Sequence, residues 1–124
     1  MDFGLTEERA AIVAMARDFA AAELAPFAVE WDQNKHFPVE TLRRAGAIGM
    51  GGITVSDDVG GSGLGRLDSA LIIEALATGC PSIASYISIH NMVASMIDRF
   101  GDPGQRQKWL PTLASMDKLG SYCL

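Results

Sequence analysis

Apolar residues recur at intervals of three and four along most of this chain, which is the spacing of one buried face of a helix. The first such pattern covers residues 6–24. Thr6 suits the N-cap of this helix, and the two glutamates that follow place negative charge where the helix dipole favours it. Pro26 interrupts the pattern, and the stretch from Phe27 to Gln33 predicts a further turn or two of helix.

The remaining pattern predicts further helices with proline or glycine at their ends. They are a short helix after Pro38 that Gly46 and Gly49 stop, a helix that follows Arg66 and closes at Thr78 and Gly79, a long helix over residues 82–100, and a helix from Pro103 to about Met116 that Pro111 resets. The residues from Gly120 to Leu124 are typical of the beginning of a strand.

The predicted helix over residues 82–100 is apolar on nearly every side. A helix of that kind needs protein around all of its faces. The chain shows no internal repeat and almost no strand pattern. We therefore expect an all-α fold, an orthogonal or up-and-down bundle of five to six helices around a central apolar helix.

A glycine-rich segment interrupts the helices between Gly49 and Gly65, with seven glycines and the short β-branched run over residues 53–55. It predicts a loop with room for one stub of strand. Residues 60–65 read Gly-Gly-Ser-Gly-Leu-Gly and lead into a helix, as a phosphate-binding loop does. They match neither the GxxxxGK[ST] nor the GxGxxG pattern, so we expect a tight loop with positive φ angles.

The length of 124 residues fits one domain, and a 48% hydrophobic content is enough for a packed core. The net charge of −5 and the scattered basic residues argue against nucleic-acid binding. No apolar run approaches the roughly 20 residues of a membrane span, and the start lacks a basic secretion signal. We therefore expect a cytoplasmic protein without membrane or nucleic-acid partners, in which Cys80 and Cys123 are free thiols.

Two titratable residues fall within apolar helical stretches. His90 has no second ligand at metal-binding spacing, so we expect a packed and hydrogen-bonded histidine and no metal site. Glu74 is either half-buried, where a raised pKa would suit a general base, or on the wet edge of its helix. No acid–base partner for it is evident, and the residues by themselves indicate only a helical domain whose central helix must be covered.

Several short motifs, in this order and spacing, resemble the N-terminal helical domain of acyl-CoA dehydrogenases. They are Leu5-Thr6-Glu7-Glu8, Ala25-Pro26, Glu30-Trp31-Asp32, Phe37-Pro38, Gly60-Gly61-Ser62-Gly63, the run from Gln105 to Pro111, and Tyr122-Cys123-Leu124. Residues 74–80 and 86–92 are most similar to the branch of the family that oxidises isobutyryl-CoA, a short branched acyl-CoA.

The resemblance implies an enzyme with three domains: this helical domain, a middle β-domain and a C-terminal helical domain. Together they enclose FAD and an acyl-CoA thioester, a glutamate removes the α-proton, and an electron-transferring flavoprotein collects the electrons. On this basis residues 1–120 form the helical domain and residues 121–124 begin the middle domain. The catalytic glutamate and most FAD contacts lie outside these 124 residues, so no catalytic residue is assigned here.

The resemblance also implies site residues. Tyr122, Cys123 and Leu124 match the start of the flavin-binding segment, although Tyr122 equally fits a core aromatic residue at the domain junction. Ser88 and Met92 lie where the central helix lines the acyl pocket, and helix packing without substrate contact is their alternative. Neighbouring residues of the same helix are weaker candidates for the pocket: Tyr86, Ile87 and Asn91.

We expect this chain, taken alone, to be inactive and not to retain FAD, whereas the full-length protein binds FAD, acyl-CoA and the electron-transferring flavoprotein. Homo-oligomers are expected in the full-length protein, and the apolar helix over residues 82–100 predicts self-association of the isolated domain. Two rival hypotheses stay open: a freestanding helical interaction module without catalysis, and a fragment of a related flavoprotein oxidase or monooxygenase.

Overall fold

The computed structural model describes residues 4–123, and within them it contains helices and loops but no strand. The all-α prediction is confirmed. The six α-helices are α1 (Glu7–Phe19), α2 (Ala28–Gln33), α3 (Val39–Ala47), α4 (Arg66–Ala77), α5 (Pro81–Phe100) and α6 (Pro103–Ala114). A π-helical turn (Ala20–Leu24) continues α1, and a 3₁₀ turn (Asp57–Val59) lies in the glycine-rich segment. None of the described helices is long and apolar enough to cross a membrane.

Helices α1 and α6 begin at a capping residue whose side chain satisfies a free amide of the first turn. The Thr6 hydroxyl accepts a hydrogen bond from the Arg9 amide, and Asp102 forms a reciprocal capping box with Gln105. Helices α5 and α6 each have a proline in the first turn, where its missing N–H costs nothing. These signals are local, which is why the sequence locates the helix starts well.

Helix α5 is the centre of the bundle and packs against α4 on one side and α6 on the other, while α1 packs on α4. Its first half belongs to the main core through Ile83, Ala84 and Ile87. Its second half joins a smaller core around Ala94, which lies between the glycine-rich segment and α6. Helix α5 therefore contributes to both cores.

One face of α5 is not covered by the described chain. Four large apolar side chains at intervals of three and four form an exposed stripe along it: Ile89, Met92, Met96 and Phe100. Phe100 is 75% exposed. The sequence predicts that α5 needs protein around all of its faces. The described chain covers the faces that join the two cores, so further protein is needed only over the exposed stripe.

The stub of strand considered at residues 53–55 does not form, and this stretch is a series of turns. Its backbone is paired in another way: the Ile53 amide donates to the side chain of Asn91, and the Val55 carbonyl accepts from Gly63. These bonds use the groups that a neighbouring strand would need. The segment is ordered by side chains of α5, which local sequence does not reveal.

Pro111 does not reset the last helix, and α6 continues through it from Pro103 to Ala114. Proline removes the hydrogen bond to the carbonyl four residues earlier, that of Gln107. Both residues are exposed, so water can satisfy that carbonyl. The cost of the proline is therefore small enough for the helix to pass through it.

Gly46, predicted to stop α3, lies inside the helix instead. A Cβ there would overlap the backbone carbonyl of Ser115, so the glycine permits close packing of α3 on the end of α6. The positive φ angles predicted for residues 60–65 are confirmed at Gly60 (+90°) and Gly63 (+62°).

Gly51→Ala should destabilise the fold by roughly 2 kcal/mol or more, because the new Cβ would overlap the Ala114 carbonyl oxygen and lie 2.7 Å from Cγ of Met116. Urea unfolding followed by circular dichroism measures this. Gly104→Ala is the matched control, since it lies in the first turn of α6 with only the Asp102 carboxylate nearby. Equal stability of both variants would contradict close packing at Gly51.

Candidate functional site

A groove of about 1010 Å³ runs between α4 and α5, and it is the candidate binding site of this domain. Ser88, Met92 and Met96 line it from α5, and Ile73 lines it from α4. The three α5 residues are four positions apart, which places them on one helix face. A concave, mostly apolar surface with a few polar groups is typical of small-molecule sites.

Asn91 fixes the floor of this groove. Its side chain is buried, and its amide donates to the Met50 carbonyl at 2.8 Å and to the Ile87 carbonyl at 2.9 Å. Its carbonyl oxygen accepts from the Ile53 amide at 2.8 Å. The Asn91 side chain therefore ties the glycine-rich segment to α5, and both its oxygen and its nitrogen already have hydrogen-bond partners.

Two further polar residues on the same face of α5 extend this contact. The hydroxyls of Ser95 and Thr54 are hydrogen-bonded at 2.7 Å. Asp98 accepts from the Ser56 amide at 2.9 Å and from the Ser56 hydroxyl at 2.8 Å. With Asn91 they form a polar stripe, residues 91, 95 and 98, that holds residues 50–56 against α5.

Arg106 of α6 completes the stripe by donating to Asp98 through Nε at 3.0 Å and Nη2 at 2.7 Å, and it also pairs with Asp58. Burial alone would raise the pKa of Asp98, but the hydrogen bonds from Ser56 and Arg106 outweigh burial and lower it. Asp98 is therefore a structural carboxylate committed to its partners, although it borders the groove.

The structure brings together three of the five residues proposed for the acyl pocket. Ser88, Asn91 and Met92 all line the groove. Ile87 is fully buried in the main core, and Tyr86 lies on another face of α5. The Tyr86 ring packs edge-on against Phe37, with ring centroids 4.9 Å apart.

The residues proposed to approach the flavin lie at the end of the described chain. Tyr122 and Cys123 are exposed and outside any helix, and Leu124 lies outside the described residues. The strand expected from Gly120 onward is not formed over residues 120–123. A strand needs a neighbour to pair with, and the backbone of residues 121–123 forms no hydrogen bond within residues 4–123.

His90 is buried and hydrogen-bonded, as expected. Its Nε2 lies 2.9 Å from the Leu113 carbonyl oxygen, and its Nδ1 accepts from the Gly120 amide at 3.0 Å. Burial lowers the pKa of His90, although the bond to Leu113 works in the opposite direction. No group of three or more metal-ligating side chains occurs in residues 4–123.

The other two candidates for chemistry have structural explanations. Glu74 is exposed on the wet edge of α4 and is not part of the groove lining. The start of α4, where a phosphate would bind, is occupied by the carboxylate of Asp68, which accepts from the Gly65 amide and pairs with Arg9. A carboxylate already fills the place that an anionic ligand would take.

Ser95 and Asp98 of the polar stripe were not predicted from the sequence. The α4 wall, the side of the groove that α4 forms through residues such as Ile73, was not predicted either. The available signal was the three-and-four spacing of Asn91, Ser95 and Asp98 on a helix that is otherwise apolar. Polar residues at that spacing indicate a face with a polar partner. Identifying residues 50–56 as that partner requires the tertiary structure.

Asn91→Ala should cost roughly 2–4 kcal/mol of stability, because it leaves the buried Ile53 amide and Met50 carbonyl without partners. Urea denaturation measures the loss. Ser88→Ala, on the same helix face but exposed, should change stability by less than about 0.5 kcal/mol. A small effect at both positions would show that Asn91 does not hold the glycine-rich segment.

His90 should make stability fall as the pH is lowered from about 7 to 5. Its pKa is lower in the folded state than the roughly 6.5 of an unfolded chain, so the unfolded state binds more protons in this range and is favoured by acid. The expected slope is at most about 1.4 kcal/mol per pH unit. Urea midpoints at several pH values test this.

The matched control for this pH dependence is His36→Gln, because the side chain of His36 is exposed. His90→Asn should flatten the slope between pH 7 and 5, whereas His36→Gln should retain it. A slope that survives in His90→Asn would assign the effect to other groups.

Comparison with known proteins agrees with this architecture. The sequence profile described as acyl-CoA dehydrogenase, N-terminal domain, matches residues 6–117. The mitochondrial isobutyryl-CoA dehydrogenases of Bos taurus and Dictyostelium discoideum are 53% and 52% identical over 121 residues. Each alignment covers 98% of this chain and 29% of the relative.

Solved structures show the same fold. A glutaryl-coenzyme A dehydrogenase in complex with glutaryl-CoA superposes with a TM-score of 0.91 at 30% identity, over 97% of this chain and 31% of that one. The chain thus spans a little under a third of the relatives that it matches. With the profile matching nearly its whole length, the chain belongs to the acyl-CoA dehydrogenase family, of which it is the N-terminal helical domain.

Proposed function

We propose that this chain is the N-terminal part of an FAD-dependent enzyme that oxidises a short branched acyl-CoA, of the isobutyryl-CoA type, to the 2-enoyl-CoA. The observation that supports this most directly is the groove between α4 and α5, in which Ser88, Asn91 and Met92 lie together. The 53% identity to the bovine isobutyryl-CoA dehydrogenase supports the substrate class.

The groove suits one wall of an acyl pocket. Leu64, Ile73, Met92 and Met96 present apolar surface to a hydrocarbon chain, and contact with them removes that surface from water. Methionine side chains adapt to an irregular shape such as a branched acyl group. Excluding water also strengthens hydrogen bonds that polarise the thioester carbonyl.

The exposed segment that follows Gly120 fits the start of a flavin site. Within residues 4–123, the backbone groups of Ser121, Tyr122 and Cys123 form no hydrogen bond, so they are available to a ligand or a neighbouring domain. Tyr122 is 44% exposed and can pack on an aromatic ring. When bound, FAD supplies the acceptor for the hydrogen that leaves the β-carbon.

The general base is not assigned to this chain. No described carboxylate combines exposure in the groove with freedom from a partner: Asp98 is bound by Ser56 and Arg106, and Glu74 lies outside the lining. We infer that the base lies beyond these 124 residues, and that the chain alone neither catalyses the reaction nor retains FAD. Acyl-CoA, an electron-transferring flavoprotein and further copies of the complete protein are the proposed partners.

A domain transplant tests this function. The matching segment of the bovine isobutyryl-CoA dehydrogenase is replaced by this chain, and FAD content and kcat/KM are measured with isobutyryl-CoA and octanoyl-CoA. We expect retained FAD and at least tenfold preference for isobutyryl-CoA. In the same chimera, Ser88→Phe should lower kcat/KM at least tenfold by filling the groove, with FAD content unchanged.

Ser85→Phe is the matched control, because Ser85 is exposed on α5 one turn earlier but does not line the groove. The 124-residue chain alone, expected to be colourless and inactive, is the negative control. A chimera that binds FAD but does not oxidise isobutyryl-CoA would contradict the substrate class. Equal effects of both phenylalanine variants would contradict the placement of the acyl group in this groove.

A further inference from the structure

Gly120 is held from both sides by side chains of α5. The Gly120 amide donates to Nδ1 of His90 at 3.0 Å, and the Tyr86 hydroxyl donates to the Gly120 carbonyl at 3.1 Å. Tyr86 and His90 are one helical turn apart, so both reach the same peptide. A single residue of a non-helical segment thus has both of its backbone groups bound by one helix.

The contact with Gly120 requires one particular form of the imidazole ring. A backbone amide can only donate, so Nδ1 of His90 must be unprotonated. The proton of the neutral ring is then on Nε2, which lies 2.9 Å from the Leu113 carbonyl and donates to it. His90 therefore joins the end of α6 to Gly120, and protonation of Nδ1 would break the second bond.

The groups that interact with the His90 ring are neutral. Tyr86 of the same helix lies with its ring centroid 6.3 Å away, α6 contributes the Leu113 carbonyl, the glycine-rich segment contributes the Gly51 backbone, and the last segment contributes Gly120. Tyr86 is the titratable group among them, and burial raises its pKa, so its hydroxyl remains a donor. No charge on these groups stabilises an imidazolium ion.

Gly120 is also the last packed point of the described chain. Val93 and Leu113 side chains lie 3.1 and 3.5 Å from the position of a Cβ at Gly120. The three residues after it are exposed and form no hydrogen bond within residues 4–123. The direction of residues 121–123 is therefore set at Gly120.

We propose that Tyr86 and neutral His90 are positioning residues that hold the Gly120 peptide and so direct residues 121–123 toward the flavin. This inference rests on the proposed function, which assigns the flavin to this segment. The pair acts through Gly120, and neither Tyr86 nor His90 lines the acyl groove. Its loss should therefore weaken flavin binding without altering acyl selectivity.

Nuclear magnetic resonance on the 124-residue chain tests the contact itself. The ¹⁵N shifts of His90 should show an Nε2–H tautomer at pH 7, and the Gly120 amide should exchange slowly with solvent. Lowering the pH should shift the His90 nitrogens and reduce the protection factor of Gly120 with the same midpoint. An Nδ1–H tautomer, or unchanged protection after His90 titrates, would overturn the proposal.

Three variants separate positioning from general packing. His90→Phe and Tyr86→Phe remove the acceptor and the donor, and each should lower Gly120 protection about tenfold. In His90→Asn, Oδ1 can replace Nδ1 as acceptor, so Gly120 protection should persist and become independent of pH between 7 and 5. Loss of protection in His90→Asn equal to that in His90→Phe would indicate packing alone and would overturn the proposal.

The chimera with the bovine enzyme links this contact to the flavin. Tyr86→Phe and His90→Phe should each raise the dissociation constant of FAD about tenfold. His90→Asn should keep that constant close to its value in the unsubstituted chimera. All three variants should leave the preference for isobutyryl-CoA over octanoyl-CoA unchanged. Unchanged FAD affinity in both phenylalanine variants would refute the positioning role while leaving the proposed function intact. Absence of FAD from the unsubstituted chimera would instead refute the proposed function.

Discussion

The structure depends on hydrogen bonds from polar side chains of a central helix to chain segments that have no regular structure of their own. The segment of residues 50–56 passes through the core without a strand partner, and burying its backbone unpaired would cost several kcal/mol. Asn91, Ser95 and Asp98 remove that cost by pairing with it along one face of α5. Without that pairing the floor of the groove would not be fixed.

This arrangement gives each face of α5 a different task. Apolar residues of its first half build the main core, and the polar stripe holds the glycine-rich segment. The exposed apolar stripe lines the groove through Met92, Met96 and Phe100. Exposed apolar surface of this kind is typical of a surface that meets another part of a protein. The chain spans under a third of its relatives, and the open face of α5 agrees with a domain that is completed by others.

The helices could be predicted from sequence because their determinants are local. Thr6, Asp102, Pro81 and Pro103 mark helix starts through bonds and torsions within one turn. The errors share a different cause: Gly46 reads as a helix stop although it serves a contact with a residue about 70 positions later. Likewise, Pro111 reads as a break, but its exposed position makes the lost hydrogen bond tolerable.

The candidate site likewise has a part that the sequence predicts and a part that depends on long-range contacts. The resemblance to the family identified Ser88 and Met92, and helical spacing places them on one face; the same spacing could have placed Ile87 in the core. The α4 wall and the role of Asp98 depend on how two helices pack, for which the sequence of either helix contains no direct signal. Contacts at long range, such as that of Asn91 with residues 50–53, required the coordinates.

His90 and Asn91 are adjacent in sequence, and they are two of the three buried polar side chains in the described part of the chain. Successive helical residues point about 100° apart, so the two side chains reach different partners, although His90 also meets the glycine-rich segment at the Gly51 backbone. Asn91 binds the segment before α4, and His90 binds the segment after α6. Because an amide does not titrate and an imidazole does, protonation of Nδ1 would break the bond from His90 to Gly120, whereas the bonds of Asn91 to residues 50 and 53 do not depend on its own protonation. One turn of α5 thus fixes two boundaries of the proposed site, and the bond at Gly120 is the one that requires an unprotonated Nδ1.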